Sequence, residues 1–477
     1  MSRVSRRWAW LLLAVVALGC RTGAGPEEAV AGLELPPLSA QPTVPQLVVL
    51  VSVAGLGPDA YRGPLPTMPL LARMARAGAF ADRVEPVAPA SSSPAHASLI
   101  TGRQPAQHRV TSERLLGDRG VRRAGFDHAS QLRGPSLWSV SVQRRPNVAA
   151  LGWPTTVGAA IPLLLPDVGM PPRGATWLEA LADKSTPWLL ERAQSRGGDD
   201  PETAIPGAAR DGVLVGVACD VIASPSPPSL LLLHLAQPRV PVARFGPGTP
   251  AAREAYAGVD ARLNTLLGCL RDEGRLATSA LVVVGDTGVV PVHTVLSPNA
   301  WLEEEGLLAR DAAGRGLRGW RALVRSNGGS AFVYARSEGD AVRARRELEA
   351  RAQDGRFRVV SAEELLDAGA DPEAWFGLEA RLGYVFTDDA AVIGPVPSAL
   401  LGAAGYLSDV PAMSPGFVAW GSGVRRGVRI PWLRQIDVAP TVALLLGVPL
   451  DEADGRAPLG ALNLPAAQRT RGDAGGD

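Results

Sequence analysis

The sequence predicts an α/β protein with a mostly parallel sheet, and two recurring patterns support this prediction. Continuous apolar runs, which suit strands buried on both faces of a sheet, occur at 47–53, 148–151, 229–235, 280–284 and 416–420. Helical spacing of apolar residues separates these runs, at 68–77, 136–144 and 252–273. Strands that alternate with helices favour a doubly wound sheet. A chain of 477 residues with 46% hydrophobic content is long enough to bury a large core.

The region 297–412 has a different pattern and predicts a small α+β cap. Two strand-like segments, 321–325 and 329–336, flank an Asn-Gly pair at 327–328, which is typical of tight hairpin turns. An exposed, charged helical pattern follows at 339–353. We therefore expect this region to be an insert in the main domain.

The rest of the chain divides into a core domain and two polar ends. The core domain is predicted over 46–296 and 413–464. Residues 20–45 are rich in Gly, Pro and Ala without periodicity, and they predict a flexible tether. The polar residues 465–477 predict a disordered tail. The formal net charge of +1 gives no reason to expect a nucleic-acid partner.

The N-terminus has the pattern of an export signal. Three arginines precede an apolar run over 8–18, which as a helix covers about 16 Å of a hydrocarbon core that is about 30 Å thick. The run therefore predicts a signal peptide over 1–19 rather than a membrane span. Residues 17–20 resemble a bacterial lipobox that ends in Cys20, although an ordinary signal peptide that happens to contain Cys20 is the alternative. We expect lipid on Cys20 to anchor the protein to a membrane of the bacterial cell envelope, outside the cytoplasm.

Two further cysteines, Cys219 and Cys269, leave two possibilities open. An exported protein can pair them in a disulfide. The alternative, two small buried hydrophobic residues, is the one we favour, with Cys219 in an apolar, strand-like run and Cys269 in a helical pattern.

Several motifs follow the predicted strands and helices in a fixed order along the chain. They are Ala-Gly-Leu-Gly-Pro-Asp at 54–59, Ser-Ser-Pro-Ala-His at 92–96, Gly-Trp-Pro-Thr-Thr at 152–156, Gly-Asp-Thr-Gly at 285–288 and Ile-Asp-Val-Ala-Pro-Thr at 436–441. Together, from Gln46 to about Gly460, they resemble the type I phosphodiesterase/nucleotide pyrophosphatase family of the alkaline phosphatase superfamily. The resemblance implies an alkaline-phosphatase-like three-layer α/β/α sandwich with a small α+β cap insert.

The resemblance also implies a site for two divalent metal ions, usually zinc, held by three carboxylates and three imidazoles. In this chain five of those six positions carry residues that do not ligate a metal, namely Ala54, Arg239, Ala243, Thr287 and Ala404. Asp286 is the one retained ligand position, and Ser92 stands at the position of the nucleophile. Glu113 replaces an Asn that would help to hold phosphate. We therefore expect no metal cofactor, because one carboxylate cannot hold two divalent cations.

These substitutions predict a catalytically inactive protein with a binding or scaffolding role. A hydrolase of phosphodiester, pyrophosphate or sulfate esters, with Ser92 as nucleophile and His96 as a conceivable base, is the alternative. A purely structural lipoprotein without any ligand is a third possibility. At the altered site we expect an ion pair between Asp286 and Arg239. The other possibility there is a metal-free site for an anionic small molecule, formed by Ser92, Arg239 and a helix N-terminus.

Overall fold

The computed structural model describes residues 34–468, except 119, 123, 146, 170–174, 198–206, 311–316 and 408–409. The predicted signal peptide, Cys20 and the first part of the predicted tether lie outside the described residues, as does most of the predicted tail. Within the described ranges, no helix is both long enough and apolar enough to cross a membrane.

Short and medium strands alternate with helices along the chain. In chain order the strands are β1 (Leu47–Val53), β2 (Ala79–Ala81), β3 (Val84–Glu85), β4 (Leu116–Gly117), β5 (Gly120–Val121), β6 (Val148–Leu151), β7 (Leu163–Leu165), β8 (Leu230–Leu235), β9 (Ser279–Gly285), β10 (Val290–Leu296), β11 (Leu308–Arg310), β12 (Leu317–Trp320), β13 (Ala322–Ser326), β14 (Ser330–Ala335), β15 (Phe357–Val360), β16 (Phe376–Ala380), β17 (Gly383–Phe386), β18 (Val396–Pro397), β19 (Gly402–Ala403), β20 (Phe417–Gly421), β21 (Val428–Ile430) and β22 (Leu433–Arg434).

The helices pack mainly on the two faces of the main sheet or within the cap. They are α1 (Pro69–Ala77), α2 (Ser92–Thr101), α3 (Pro105–His108), α4 (Leu137–Arg144), α5 (Trp177–Leu181), α6 (Pro187–Gly197), α7 (Ala208–Ala223), α8 (Arg239–Phe245), α9 (Pro250–Asp272), α10 (Pro298–Glu304), α11 (Glu338–Ala352), α12 (Ala362–Asp367) and α13 (Val438–Leu446).

The main sheet organises the core and confirms the predicted fold class. Among the described residues it has eight strands in the order β21-β2-β20-β9-β1-β8-β6-β7. The strands from β9 to β7 are parallel to one another, and β20 is antiparallel to β9. Helices α1, α6, α7 and α9 pack together in one layer, and α2, α4 and α13 in another. Because β1 lies between β8 and β9 and every residue in it is buried, its continuous apolar sequence is what a central strand requires.

The region 297–412 forms a second antiparallel sheet, with the strand order β13-β14-β16-β15. The predicted hairpin is present: β13 and β14 meet at a turn in which the Asn327 N–H donates to the Ser330 carbonyl at 2.9 Å. The charged helix predicted at 339–353 is α11, which packs on this sheet. Strand β10, just before residue 297, pairs with β17, β18 and β19 from this region.

The described parts of the predicted tether and tail form hydrogen bonds with the core domain. The Asn463 side-chain amide donates to the carbonyls of Ser39, Ala40 and Gln41. In the predicted tail, the Gln468 amide donates to the Leu444 carbonyl at 2.6 Å. In each case a polar side chain forms hydrogen bonds with the backbone. The amino-acid composition of a segment does not show such contacts.

Cys219 and Cys269 form a disulfide, so the preference for two unpaired cysteines was wrong. Cys219 lies in α7 rather than in a strand. This helix has 16 residues and is apolar because it packs against the sheet, α6 and α9. Cys269 lies in α9, which packs directly on α7, and the two Cα atoms are 5.5 Å apart. The disulfide therefore joins two neighbouring helices of one layer.

Helix α7 also fixes the chain that leaves the carboxyl end of β8. Asp211 is fully buried in α7 and accepts the N–H groups of Ala236 and Gln237 at 3.0 and 2.8 Å. Burial raises the pKa of the Asp211 carboxyl group to about 6. The two hydrogen bonds set the start of the segment that leads into α8.

Removal of the disulfide is expected to destabilise the protein. The cysteines are 50 residues apart in sequence, and loop entropy for such a separation corresponds to about 4 kcal/mol of the free energy of unfolding. We expect the double variant Cys219→Ala, Cys269→Ala to unfold at lower urea concentration than the wild-type protein. A reducing agent should lower the wild-type midpoint towards that of the double variant and leave the variant unchanged. Equal midpoints for oxidised wild-type protein and double variant would contradict the prediction.

Candidate active site

The carboxyl ends of three neighbouring strands bring the candidate residues to one edge of the sheet. Val53, the last residue of β1, pairs with Leu235 at the end of β8 and with Gly285 at the end of β9. Ala54 and Asp286 therefore follow adjacent strands at the same edge. In open α/β sheets this edge is where ligands bind.

The Asp286 carboxylate is buried, with 2% of the residue exposed, and three donors bind it. Oδ1 accepts the N–H groups of Gly55 and Thr287, both at 2.8 Å. Oδ2 accepts the Ser92 hydroxyl at 2.8 Å. The carboxylate is thus stabilised by hydrogen bonds within the protein, two of them from backbone groups at the ends of β1 and β9.

Ser92 connects Asp286 to Arg239. Ser92 is the first residue of α2, and the extended backbone of Ser91 before it directs the chain into the helix. Its Oγ donates to Asp286 and accepts from Nη2 of Arg239 at 3.1 Å. Arg239 is the first residue of α8 and is exposed, so its guanidinium group borders both Ser92 and solvent.

The expected ion pair between Arg239 and Asp286 does not form, so that prediction was wrong. Arg239 instead donates to Ser92 and also approaches Nε2 of His234, at 3.3 Å. Backbone N–H groups already bind one oxygen of Asp286, and the Ser92 hydroxyl lies between the guanidinium group and the other oxygen. A serine hydroxyl can donate and accept at once, so it bridges the two charged groups.

Two buried histidines lie beneath Ser92. Nδ1 of His96 lies 2.8 Å from the Ser92 carbonyl oxygen, and Nε2 lies 2.8 Å from the Ser52 hydroxyl and 3.1 Å from Nδ1 of His234. A carbonyl only accepts, so this network assigns the proton of His96 to Nδ1. Burial lowers the pKa of both His96 and His234, which favours the neutral imidazoles.

The proton on Nδ1 argues against His96 as the base for Ser92. Its Nδ1 is also 3.3 Å from Oγ of Ser92, but a nitrogen that already carries a proton cannot accept another from a hydroxyl group. The neighbouring Asp286 carboxylate does not contact His96 directly. The geometry therefore favours a structural position for His96.

The positions at which the family resemblance implies metal ligands lie near Ser92 and Asp286. Thr287 and Gly405, the residue after Ala404, both donate to the carbonyl oxygen of Ala90, at 2.8 and 2.7 Å. Ala243 follows Arg239 by one turn of α8. The structure thus gathers Ala54, Thr287 and Ala404 near the start of α2, with α8 beside them.

Glu113 lies at the N-terminus of α2. Its carboxylate accepts the Ser93 N–H at 2.9 Å and the Ser93 hydroxyl at 3.0 Å. Helix N-termini stabilise negative charge through their free N–H groups. A side chain of the protein itself therefore occupies part of the helix end that an anionic ligand would use.

The sequence comparison and this geometry lead to the same family. The model of the type I phosphodiesterase/nucleotide pyrophosphatase family matches residues 48–385, which is more than half of the chain. The chain belongs to this family. A comparison with curated proteins yields no match.

Solved structures of family members have a similar fold. Human ectonucleotide pyrophosphatase/phosphodiesterase 5 has 17% sequence identity and a TM-score of 0.64, with 88% of this chain and 100% of that one covered. The murine protein has 18% identity and a TM-score of 0.63, with 86% and 97% covered. An inactive murine variant solved in complex with AMP has 17% identity and a TM-score of 0.63, with 87% and 100% covered. At these identities the similarity supports the fold.

The residues at the site do not fit the two metal ions that the family resemblance implies. Zinc needs several nitrogen, sulfur or oxygen ligands in a closed shell. Ala54, Ala243 and Ala404 have no donor atoms in their side chains, and Arg239 carries a positive charge. Across the ranges that the structure describes, no group of three or more His, Cys, Asp and Glu residues is arranged to hold a metal ion.

The sequence interpretation missed the contacts of Ser52 and His234. Ser52 lies in β1 and His234 in β8, and they are register partners in adjacent strands. Two polar residues in otherwise apolar runs were the available signal, but only the register shows that they lie side by side. The remaining three histidines are elsewhere: His128 is exposed, His293 packs against Tyr384, and Nδ1 of His108 accepts the Val110 N–H.

Acid is expected to destabilise the protein through its buried histidines. Burial lowers the pKa of His108 to about 3, below the value of about 6.5 in an unfolded chain. Its stabilising contribution is therefore complete above pH 6.5 and is lost as the pH falls towards 3, by about 1.4 kcal/mol per pH unit. We expect the free energy of unfolding, measured with urea between pH 7 and 5, to fall less steeply for His108→Gln than for the wild-type protein.

His128→Gln is the matched control for the loss of one imidazole, because His128 is exposed. The buried Asp211 contributes with the opposite sign, because its raised pKa favours the folded state at low pH. This contribution is common to all three proteins and cancels in the comparison. Parallel slopes for His108→Gln and the wild-type protein would show that His108 is not a determinant of acid stability.

Proposed function

We propose that this member of the family is catalytically inactive and has a binding or scaffolding role. One observation carries the proposal: the single retained ligand, Asp286, has its carboxylate bound by Gly55, Thr287 and Ser92. An incoming cation would have to displace these hydrogen bonds and would gain one protein ligand. The free-energy balance therefore opposes metal binding.

The charge of Arg239 supports the same proposal. Its guanidinium group is permanently protonated and lies 3.1 Å from Oγ of Ser92, the atom beside which a metal ion would have to bind. Two positive charges at such a distance repel each other, most strongly where water is excluded. Arg239 thus provides a fixed positive charge in place of an exchangeable metal ion.

A hydrolase that uses Ser92 is the second candidate, and the short hydrogen bond from Ser92 to Asp286 is the observation that favours it. A carboxylate next to a hydroxyl can act as a base. Asp286 however already accepts two backbone hydrogen bonds, and Nδ1 of His96 holds its own proton. Both features weaken the base that an activated serine needs.

Metal content and turnover decide between the two candidates. After incubation with zinc and removal of free metal, we expect the wild-type protein to retain far less than one zinc ion per chain. We also expect turnover of a p-nitrophenyl phosphodiester to equal that of Ser92→Ala. About two ions per chain, or Ser92-dependent turnover, would overturn the proposal.

A variant with the family ligands restored is the positive control. It carries Ala54→Asp, Arg239→Asp, Ala243→His, Thr287→His and Ala404→His, and retains Asp286. If these positions are assigned correctly, this variant should bind zinc where the wild-type protein does not. If neither protein binds zinc, the ligand positions have been assigned incorrectly.

We also propose that the protein is held at the bacterial envelope by lipid on Cys20. The lipobox-like sequence supports this, and so does the disulfide between Cys219 and Cys269, since disulfides persist mainly in oxidising compartments outside the cytoplasm. A membrane anchor with a binding domain is consistent with a scaffolding role at the envelope.

At the altered site, we propose a weak site for an anionic small molecule that Glu113 restricts. Arg239 presents an exposed guanidinium group beside Ser92, but Glu113 occupies the first turn of α2. Removal of this carboxylate would free the Ser93 N–H and lower the local negative charge. The anion could then accept hydrogen bonds from both Arg239 and the Ser93 N–H.

Glu113→Ala is expected to strengthen the binding of inorganic phosphate at this site. Phosphate at about ten times its dissociation constant adds about 1.4 kcal/mol to the free energy of unfolding. We expect phosphate to raise the melting temperature of Glu113→Ala more than that of the wild-type protein. The additional change Arg239→Ala should remove this difference. An equal effect of phosphate on Glu113→Ala and the wild-type protein would show that Glu113 does not restrict the site.

A further inference from the structure

A cavity lies at the opposite edge of the main sheet from Asp286, where the parallel strands begin. Its volume is about 240 Å³, and its lining includes Gln46, Leu47, Arg145, Pro228 and Arg275. These residues lie just before or at the start of β1, β6, β8 and β9. Strand β1 has seven residues, so about 20 Å separates this cavity from Asp286 at the other end of the strand.

The cavity is positively charged. Two of its lining residues are arginines, and none is acidic. In the part of the chain that the structure describes, no ion pair involves Arg145 or Arg275. Two guanidinium groups in a cavity without acidic side chains favour an anion.

The two arginines approach the cavity from different sides. Arg275 precedes β9 and Arg145 precedes β6, with β1 and β8 between them. Three strand spacings correspond to about 14 Å. Leu47 and Pro228 lie between them and form an apolar floor. This arrangement suits a ligand that combines an anionic group with a small organic part.

We propose that this cavity binds a phosphate-type oxyanion that carries a small organic group, namely a phosphate monoester or diester. Arg145 and Arg275 bind the oxyanion through their guanidinium groups, and the organic group covers Leu47 and Pro228. Two sources provide this chemistry, a soluble phosphate ester and a phospholipid headgroup. Gln46 lies at the rim, so the chain enters the core domain beside the cavity.

Calorimetric titration of the full-length protein tests the proposal with three probes: inorganic phosphate, glycerol 3-phosphate and glycerophosphoglycerol. We expect binding of at least one probe, and we expect Arg275→Gln and Arg145→Gln each to weaken it about tenfold or more. Arg346→Gln, at an exposed arginine of α11 remote from the cavity, is the matched control and should bind as the wild-type protein does. Arg239→Gln removes the guanidinium group from the site at Ser92, so the binding that this variant retains belongs to the cavity.

The probes distinguish the sources. Tighter binding of glycerophosphoglycerol than of the other two probes indicates a phospholipid headgroup, and tighter binding of glycerol 3-phosphate indicates a soluble ester. No binding of any probe, or binding that neither cavity variant weakens, overturns the proposal. Should the variants fold poorly, crystals of the wild-type protein soaked in tungstate provide an independent test. Tungsten density between Arg145 and Arg275 supports the proposal, and density absent from the cavity overturns it.

Discussion

The arrangement around Ser92 depends on how one buried carboxylate is satisfied. In a metal-dependent relative, the negative charge at the ends of the central strands is balanced by cations. Here Asp286 is balanced by two backbone N–H groups and a hydroxyl group, and the nearby positive charge belongs to Arg239. Because the donors come from the ends of β1 and β9 and the start of α2, these hydrogen bonds hold the three elements together.

Much of the fold could be predicted from the sequence because it rests on local patterns. The apolar sequence of β1 is sufficient to identify a buried central strand, and the Asn-Gly pair at 327–328 is sufficient to identify the hairpin between β13 and β14. The family motifs then place Ser92 and Asp286 at one edge of the sheet. These features could be predicted because they depend only on residues that are close in sequence or on the order of the family motifs.

The features that could not be predicted depend on contacts between distant segments. The disulfide requires α7 and α9 to lie side by side, and the apolar sequence around Cys219 does not distinguish a buried helix from a strand. The ion pair between Arg239 and Asp286 was a reasonable expectation from charge alone. It does not form because the Ser92 hydroxyl group lies between the two charged groups, and this arrangement is set by tertiary packing.

The hydrogen bonds of Asp286 also have an evolutionary consequence. A single reversion, such as Ala54→Asp, would add a second carboxylate near Asp286 without completing a metal shell, and the new charge would be buried at a cost of several kcal/mol. Intermediate sequences on a path back to a two-metal site would therefore fold less well than the present one and gain no catalysis in return. Under the proposed function, loss of the metal site is in this sense a one-way step, which leaves later change free to adapt the domain to other uses.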